Sequence, residues 1–237
     1  MAGRALPRLS GSVLKWIALA AMVADHVGYL VVFPLLEGLP GLYPLYLLLR
    51  MAGRISFPLF AFLLSEGCRN TRDFPRYLLR LLLFALAAQI PYTLAFGAWA
   101  GSVIVSFLIG AGAVFLYERL KERGGGRLSA VILLLAAAVL AELLRVDYGS
   151  LGVLLVFFLY LFRASPGRRC VSVAAWALLA YAPATPTDLG YFCCAALAVL
   201  PIWLYSGERG RGSKWFFYWF YPAHLLALWA LGALLMR

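Results

Sequence analysis

The strongest constraint on this chain is a succession of apolar runs, each near the thickness of a bilayer and joined by short basic loops. The runs fall at 13–36, 43–66, 75–97, 102–119, 128–146, 149–163, 170–184, 189–206 and 214–235. A spanning helix needs about 20 apolar residues, roughly 30 Å of helix. The runs are continuous and do not alternate every second residue, which argues against a porin-like barrel. Of the 237 residues, 64% are hydrophobic and only 13% charged, too little polar material to cover a soluble globule. The same excess excludes disorder, and four Cys in so long a chain exclude a secreted disulfide scaffold. The expected fold is an all-α polytopic membrane protein of about nine transmembrane helices, a single domain over 1–237. The sixth and seventh runs are short, and either fits a re-entrant segment.

Basic residues orient this bundle. Arg4, Arg8 and Lys15 sit at the start of the first run, and Arg69, Arg72 and Arg76 lie between the second and third. Arg119, Lys121, Arg123 and Arg127 separate the fourth and fifth, and Arg163, Arg168 and Arg169 the sixth and seventh. Arg209, Arg211 and Lys214 precede the ninth, whereas the alternate loops hold only Arg145, and Arg237 closes the chain. Cytoplasmic loops collect Lys and Arg, so the N-terminus is expected in the cytoplasm and the C-terminus outside. The net charge of +11 is then mostly a topology signal and implies no nucleic-acid partner. The same loops would attract anionic lipid or a phosphorylated cofactor. The first run exceeds a signal-peptide h-region and is read as a retained span.

Ionisable groups at mid-depth are costly in lipid and are the best pointers to function. Asp25 and His26 lie about 18–20 Å along the first run, close to mid-membrane. Adjacent helical residues point about 100° apart, so each needs a partner from another span. A catalytic or proton-relay His with an orienting carboxylate fits them, and so does a plain interhelical contact. Arg50 and Arg54 are one turn apart in the second run, and Pro58 deprives the Arg54 carbonyl of its helical donor. Arg54 suits a salt bridge with Asp25 and also the stabilisation of a developing negative charge. His224, after Pro222, reaches a similar depth in the ninth run. Arg80 continues the line of Arg72 and Arg76 toward the membrane; the loop residues read best as snorkelling, and Arg80 suits cofactor phosphates. Gln89 and Pro91 mark a polar kink. Glu142, Asp147 and Tyr148 form a polar cluster near the outer surface, read as an ordinary turn or as the entry for an acceptor.

Other chemistries lack their parts. No run carries a His or Cys pair at metal-ligand spacing, so no metal is expected. Cys68, Cys170, Cys193 and Cys194 read as buried small apolar residues. Gly124-Gly125-Gly126 lacks the ending of a phosphate loop and reads as a connector.

The residues assembled so far resemble the TraX family, whose founding member N-acetylates F-type pilin. The carrying segments are Leu14-Lys15-Trp16 with Met22 through His26, Gly53-Arg54 with Phe57 through Phe60, Arg80 with Gln89-Ile90-Pro91, Asp147-Tyr148-Gly149 with Gly152, and Phe220 through His224. The resemblance implies an integral-membrane acyltransferase of the bacterial cytoplasmic (inner) membrane using acetyl-CoA as co-substrate and no metal. It also implies a distant likeness to membrane acyltransferases that modify glycans. Asp25, His26, Arg54 and His224 carry over as the catalytic positions.

On this reading acetyl-CoA enters from the cytoplasm, its phosphates near Arg72, Arg76 and Arg80. The acceptor, a pilin or other peptide, a glycan or a lipid amine, enters from outside or from lipid past Gln89, Glu142, Asp147 and Tyr148. His26 is the base, oriented by Asp25 unless Asp25 pairs with Arg54. Arg54 stabilises the oxyanion, and His224 is a second acid/base or an acyl relay. The alternatives are a proton-coupled transporter, which mid-membrane charges also suit, and a non-enzymatic membrane assembly factor.

Overall fold

The computed structural model describes residues 8–97, 100–211 and 214–235, the Lys214 side chain excepted. Arg4 and Arg237 of the charge pattern lie outside the described residues. Nine helical rods follow one another, with no strand among the described residues: α1 Gly11–Leu35, α2 Pro40–Asn70, α3 Phe74–Phe96, α4 Val103–Glu122, α5 Arg127–Leu143, α6 Gly149–Leu161, α7 Pro166–Tyr181, α8 Pro186–Trp203 and α9 Lys214–Leu235. Six of them (α1 to α4, α8 and α9) are long and apolar enough to cross a membrane. The chain is therefore a multi-pass membrane protein, and the all-α expectation holds.

The other three rods, α5, α6 and α7, have 17, 13 and 16 residues. A rod of 13 residues is about 20 Å long, short of the roughly 30 Å hydrocarbon core. Helix α6 can be short because protein surrounds it. Its sequence is apolar on every side, as a largely enclosed helix requires, and it packs against α2, α4, α5 and α7, leaving Phe158 and Leu161 exposed. Val153, Val156 and Leu159 have no exposed surface and join Phe57 and Phe62 in the main core. Lipid is as apolar as a leucine side chain, so close packing has to hold such helices together. Small residues supply the approach: Ala18, Ala61, Ala88 and Ala111 are fully buried, and a Cβ at Gly110 would lie 2.9 Å from Val156. Leu128 and Leu143, 74% and 75% exposed, show the reverse on α5: an apolar surface turned outward to lipid.

Capping chemistry sets where the later helices begin. Ser165 accepts the N–H of Arg168 at 3.4 Å, and Thr185 and Asp188 form a reciprocal capping box. Pro166 and Pro186 follow these caps at the first helical position, where a missing N–H costs nothing. Helices α7 and α8 therefore start at 166 and 186, ahead of the apolar runs at 170 and 189.

Loop contacts fix the two ends of the bundle. At the basic end, Leu9 N–H donates to the Leu204 carbonyl at 2.8 Å and Ser206 N–H to the Leu9 carbonyl at 2.8 Å. At the opposite end the α3–α4 and α5–α6 turns interlock, with Asp147 N–H donating to the Gly101 carbonyl at 2.9 Å. Helix α1 packs along both halves of α2, and α9 packs on α3 and on the outer half of α1. These four rods enclose the candidate site.

Candidate active site

Helix α2 breaks at Arg54 and Ile55. The Arg54 N–H bonds the Met51 carbonyl at 3.0 Å, one residue short of the helical partner. That frees the Arg50 carbonyl, and the Arg54 side chain fills it by donating Nε at 3.0 Å. Pro58 has no N–H to offer the Arg54 carbonyl in turn. Gly53 lets α1 come close, since a Cβ there would fall inside the Asp25 side chain. Asp25 thus receives Arg50 Nη1 at 2.8 Å and Arg54 Nη2 beside it. All three side chains are largely buried, and the triad holds two cations for one anion. The Arg50 guanidinium lies over Tyr29 at 5.1 Å, and that of Arg54 over Tyr191 at 5.6 Å.

His26 stands next to this triad but turns elsewhere. Its Nδ1 lies 2.7 Å from Nε2 of His224, with the rings 5.0 Å apart and tilted by 16°. The other nitrogen of His224, Nδ1, lies 2.8 Å from the Phe220 carbonyl one turn back. His224 is buried at 8% exposure, with the Phe220 ring on its other side at 5.0 Å. Immediately after His26, α1 widens into a π-helical stretch over Gly28–Val32, a distortion that recurs at functional sites. Gly232 allows α9 to approach the Leu30 carbonyl of that stretch, where no Cβ would fit. Between the outer ends of α1, α3 and α9 lies a cleft of about 360 Å³ lined by Tyr29, Phe33, Leu94, Phe96 and Trp229 among others. The Phe96 ring packs edge-on against His26 at 5.6 Å, so the cleft borders the histidine pair.

Asp25, Arg54, His26 and His224 come together, and Asp25 pairs with Arg54, one of its two expected roles. The alternative role is not taken: Asp25 is held by two guanidinium groups, and His26 Nδ1 meets His224 instead. Of the remaining candidates, Asp147 and Tyr148 lie within electrostatic reach of Arg54 and Asp25, and the others are spread out. Arg80 lies toward the basic end, its guanidinium 5.8 Å from the Tyr77 ring and its buried Nε without a partner among the described residues. Arg76 pairs with Asp73 at 3.0 Å, and both Arg76 and Arg72 are exposed. Gln89 ties the α3–α4 turn by bonding the Ala100 carbonyl at 2.8 Å and the Ser102 N–H at 3.2 Å. Glu142 is exposed and accepts the Ser150 N–H at 2.7 Å, capping α6. Tyr148 adopts a left-handed backbone, φ 62°, and stacks on Phe57 at 3.9 Å. Asp147 shares its turn and bonds Gly101 through its backbone. Cys193 is exposed and corrects the buried reading, which holds for Cys68.

Sequence reasoning missed three things. Arg50 is a full partner of Asp25, a role its one-turn spacing from Arg54 could have signalled. Tyr29 and Phe96 are spread over two helices, and no sequence signal joins them. Glu66 and Arg169 form a buried pair at 3.2 Å between α2 and α7. An acid within an apolar helix was the available hint.

Comparison with known proteins agrees with this layout. The family described as TraX protein matches residues 10–232. The chain is 30% identical over 235 residues to the probable fimbrial assembly protein FimC, serogroup H1, of Dichelobacter nodosus, covering 91% of this chain and 92% of that protein. No solved structure matches the chain. A family match across almost the whole bundle, including α1, the α2 break and the His224 turn of α9, places this multi-pass membrane protein in the TraX family.

Proposed function

We propose that this protein is a membrane acyltransferase that moves an acetyl group from cytoplasmic acetyl-CoA to an amine or hydroxyl of a membrane-associated or extracytoplasmic acceptor. The observation that carries the reading is the meeting of a histidine pair with a surplus cation: His26 on His224, beside Arg50 and Arg54 on a single Asp25. A base and a buried positive charge are what acyl transfer needs, one to take the acceptor's proton and one to face the oxyanion. Arg80, with Nε unpartnered at the basic end, and the exposed Arg72 and Arg76 suit the phosphates of the cofactor. The aromatic cleft beside Phe96 suits an acceptor arriving from lipid or from the far side of the membrane. The matched relative is named for fimbrial assembly, so a fimbrial subunit is the first acceptor to try, ahead of glycans and lipid amines. The basic loops support placing the N-terminus in the cytoplasm.

The test is release of free thiol from acetyl-CoA by purified protein supplied with a fimbrial subunit or simple amines. Release is expected from wild type and is expected to be abolished in His26→Ala while the variant keeps its elution volume. Wild-type turnover by His26→Ala sinks the assignment. Substrate flux into vesicles without thiol release favours the transporter instead.

A further inference from the structure

The hydrogen-bond chain through the two histidines decides, by elimination, which ring nitrogen is left to act. A carbonyl oxygen only accepts, so the 2.8 Å contact of His224 Nδ1 with the Phe220 carbonyl puts a proton on Nδ1. A neutral His224 then keeps its lone pair on Nε2. That nitrogen lies 2.7 Å from His26 Nδ1, which must supply the proton between them. His26 Nε2 is left bare: the side-chain hydrogen bond found for His26 among the described residues is the one through Nδ1. Both nitrogens of His224 are occupied, one by the backbone and one by His26.

The geometry points to a two-histidine relay in which His26 Nε2 is the proton-accepting atom and His224 is a positioning residue that fixes its tautomer and takes up the charge. His224 is thereby excluded as an acyl carrier, since it has no free nitrogen to attack with. The role in turnover rests on the acyltransferase reading; the protonation pattern does not.

The proton inventory closes. As the acceptor N–H or O–H attacks the thioester carbon, its proton passes to His26 Nε2. The Nδ1 proton of His26 passes to His224 Nε2. His26 ends neutral with the proton on Nε2, and His224 becomes an imidazolium whose Nδ1–H still rests on Phe220. When the tetrahedral intermediate collapses, the C–S bond breaks and the departing thiolate takes the proton from His26 Nε2. The Nε2 proton of His224 returns to His26 Nδ1, restoring the starting state. The surroundings suit a fixed relay: Phe220 flanks His224 at 5.0 Å and Tyr221 packs edge-on at 5.6 Å, so the ring has little freedom to flip.

The chain has two histidines, so isotopic labelling of histidine nitrogen followed by NMR reads the two rings without interference. A protonated Nδ1 and a bare Nε2 are expected on both, the tautomer that free histidine disfavours in water. A proton on Nε2 of either neutral ring overturns the proposal whatever the activity. Two variants then separate positioning from bulk. In His224→Gln an amide oxygen can still accept from His26 Nδ1 but cannot take up the proton, and kcat is expected to fall about tenfold, the loss of charge uptake with the tautomer kept. His224→Leu cannot accept, and kcat is expected to fall about 10²-fold or more with KM changed less than about twofold. Equal losses in the two variants overturn the positioning role. Wild-type protein that shows the stated tautomers but releases no thiol overturns the acyltransferase reading alone and leaves the protonation pattern supported.

Discussion

Helix α2 carries two buried groups of opposite charges, and they are built for different ends. Toward the basic end Glu66 meets Arg169 of α7 at 3.2 Å, both side chains 9% exposed, with Arg169 over the Phe62 ring at 5.1 Å. At the break Asp25 meets Arg50 and Arg54. The backbone around the first pair is regular helix on both sides. Around the second and the histidine pair beside it, every contributing helix is distorted: α1 by its π stretch, α2 by the turn at Arg54, and α9 by Pro222, which leaves the Tyr218 carbonyl without its helical donor. Buried charge alone therefore does not mark a site. The proposed site combines buried charge with irregular backbone and an unoccupied ring nitrogen.

Four substitutions press on this contrast. The largest effect is expected from Asp25→Ala, which leaves two guanidinium groups facing each other in a buried place. Thiol release per folded molecule is expected to fall about 10²-fold or more, with a loss of stability of about 3–5 kcal/mol; a stable, active Asp25→Ala variant would erase the distinction. Glu66→Leu is expected to cost a similar ~3–5 kcal/mol by stranding Arg169, yet to leave turnover per folded molecule unchanged, as read by thermal melting in detergent alongside the thiol assay. Gly53→Ala drives a methyl into Asp25 and is expected to cost about 1–3 kcal/mol, with a lower kcat because the triad must part. The smallest effect belongs to Glu66→Leu combined with Arg169→Leu. Removing both charges together is expected to bring the stability back to within about 1 kcal/mol of wild type, whereas an uncorrected loss would give that pair more than a stapling role.

Much of this was legible in residue order. Nine apolar runs became nine rods, six of them long and apolar enough to cross a membrane where nine spans were expected, because a helix buried in protein is as apolar as one buried in lipid; Asp25, His26, Arg54 and His224 stood out because lipid penalises them. Depth along each helix could be counted at a fixed rise, so the four could be placed at one level. Rotation about each helix could not, and rotation decides partners: it turns His26 toward α9 and Asp25 toward α2. Boundaries drifted at α7 and α8 because hydrophobicity marks the lipid-facing stretch, while Ser165-Pro166 and Thr185-Pro186 mark where the backbone begins to wind. The Glu66–Arg169 contact spans more than a hundred residues of chain, and no local pattern encodes it.

The shortness of α5 has a consequence for the lipid itself. Its 17 residues make a rod of about 26 Å, and its apolar face looks outward through Val131, Ile132, Leu135 and Val139. A hydrophobic stretch shorter than the hydrocarbon core is matched by local thinning of the bilayer or by snorkelling end groups, at a cost of a fraction of a kcal/mol per Å. The 23-residue α3, exposed through Leu83, Leu86 and Ile90, imposes no such demand. The protein thus presents a thin side and a thick side to the membrane. Acyl-chain length in the surrounding lipid becomes a load on the bundle, applied at α5 and passed through α6 to Phe57, three residues from Arg54 of the Asp25 triad.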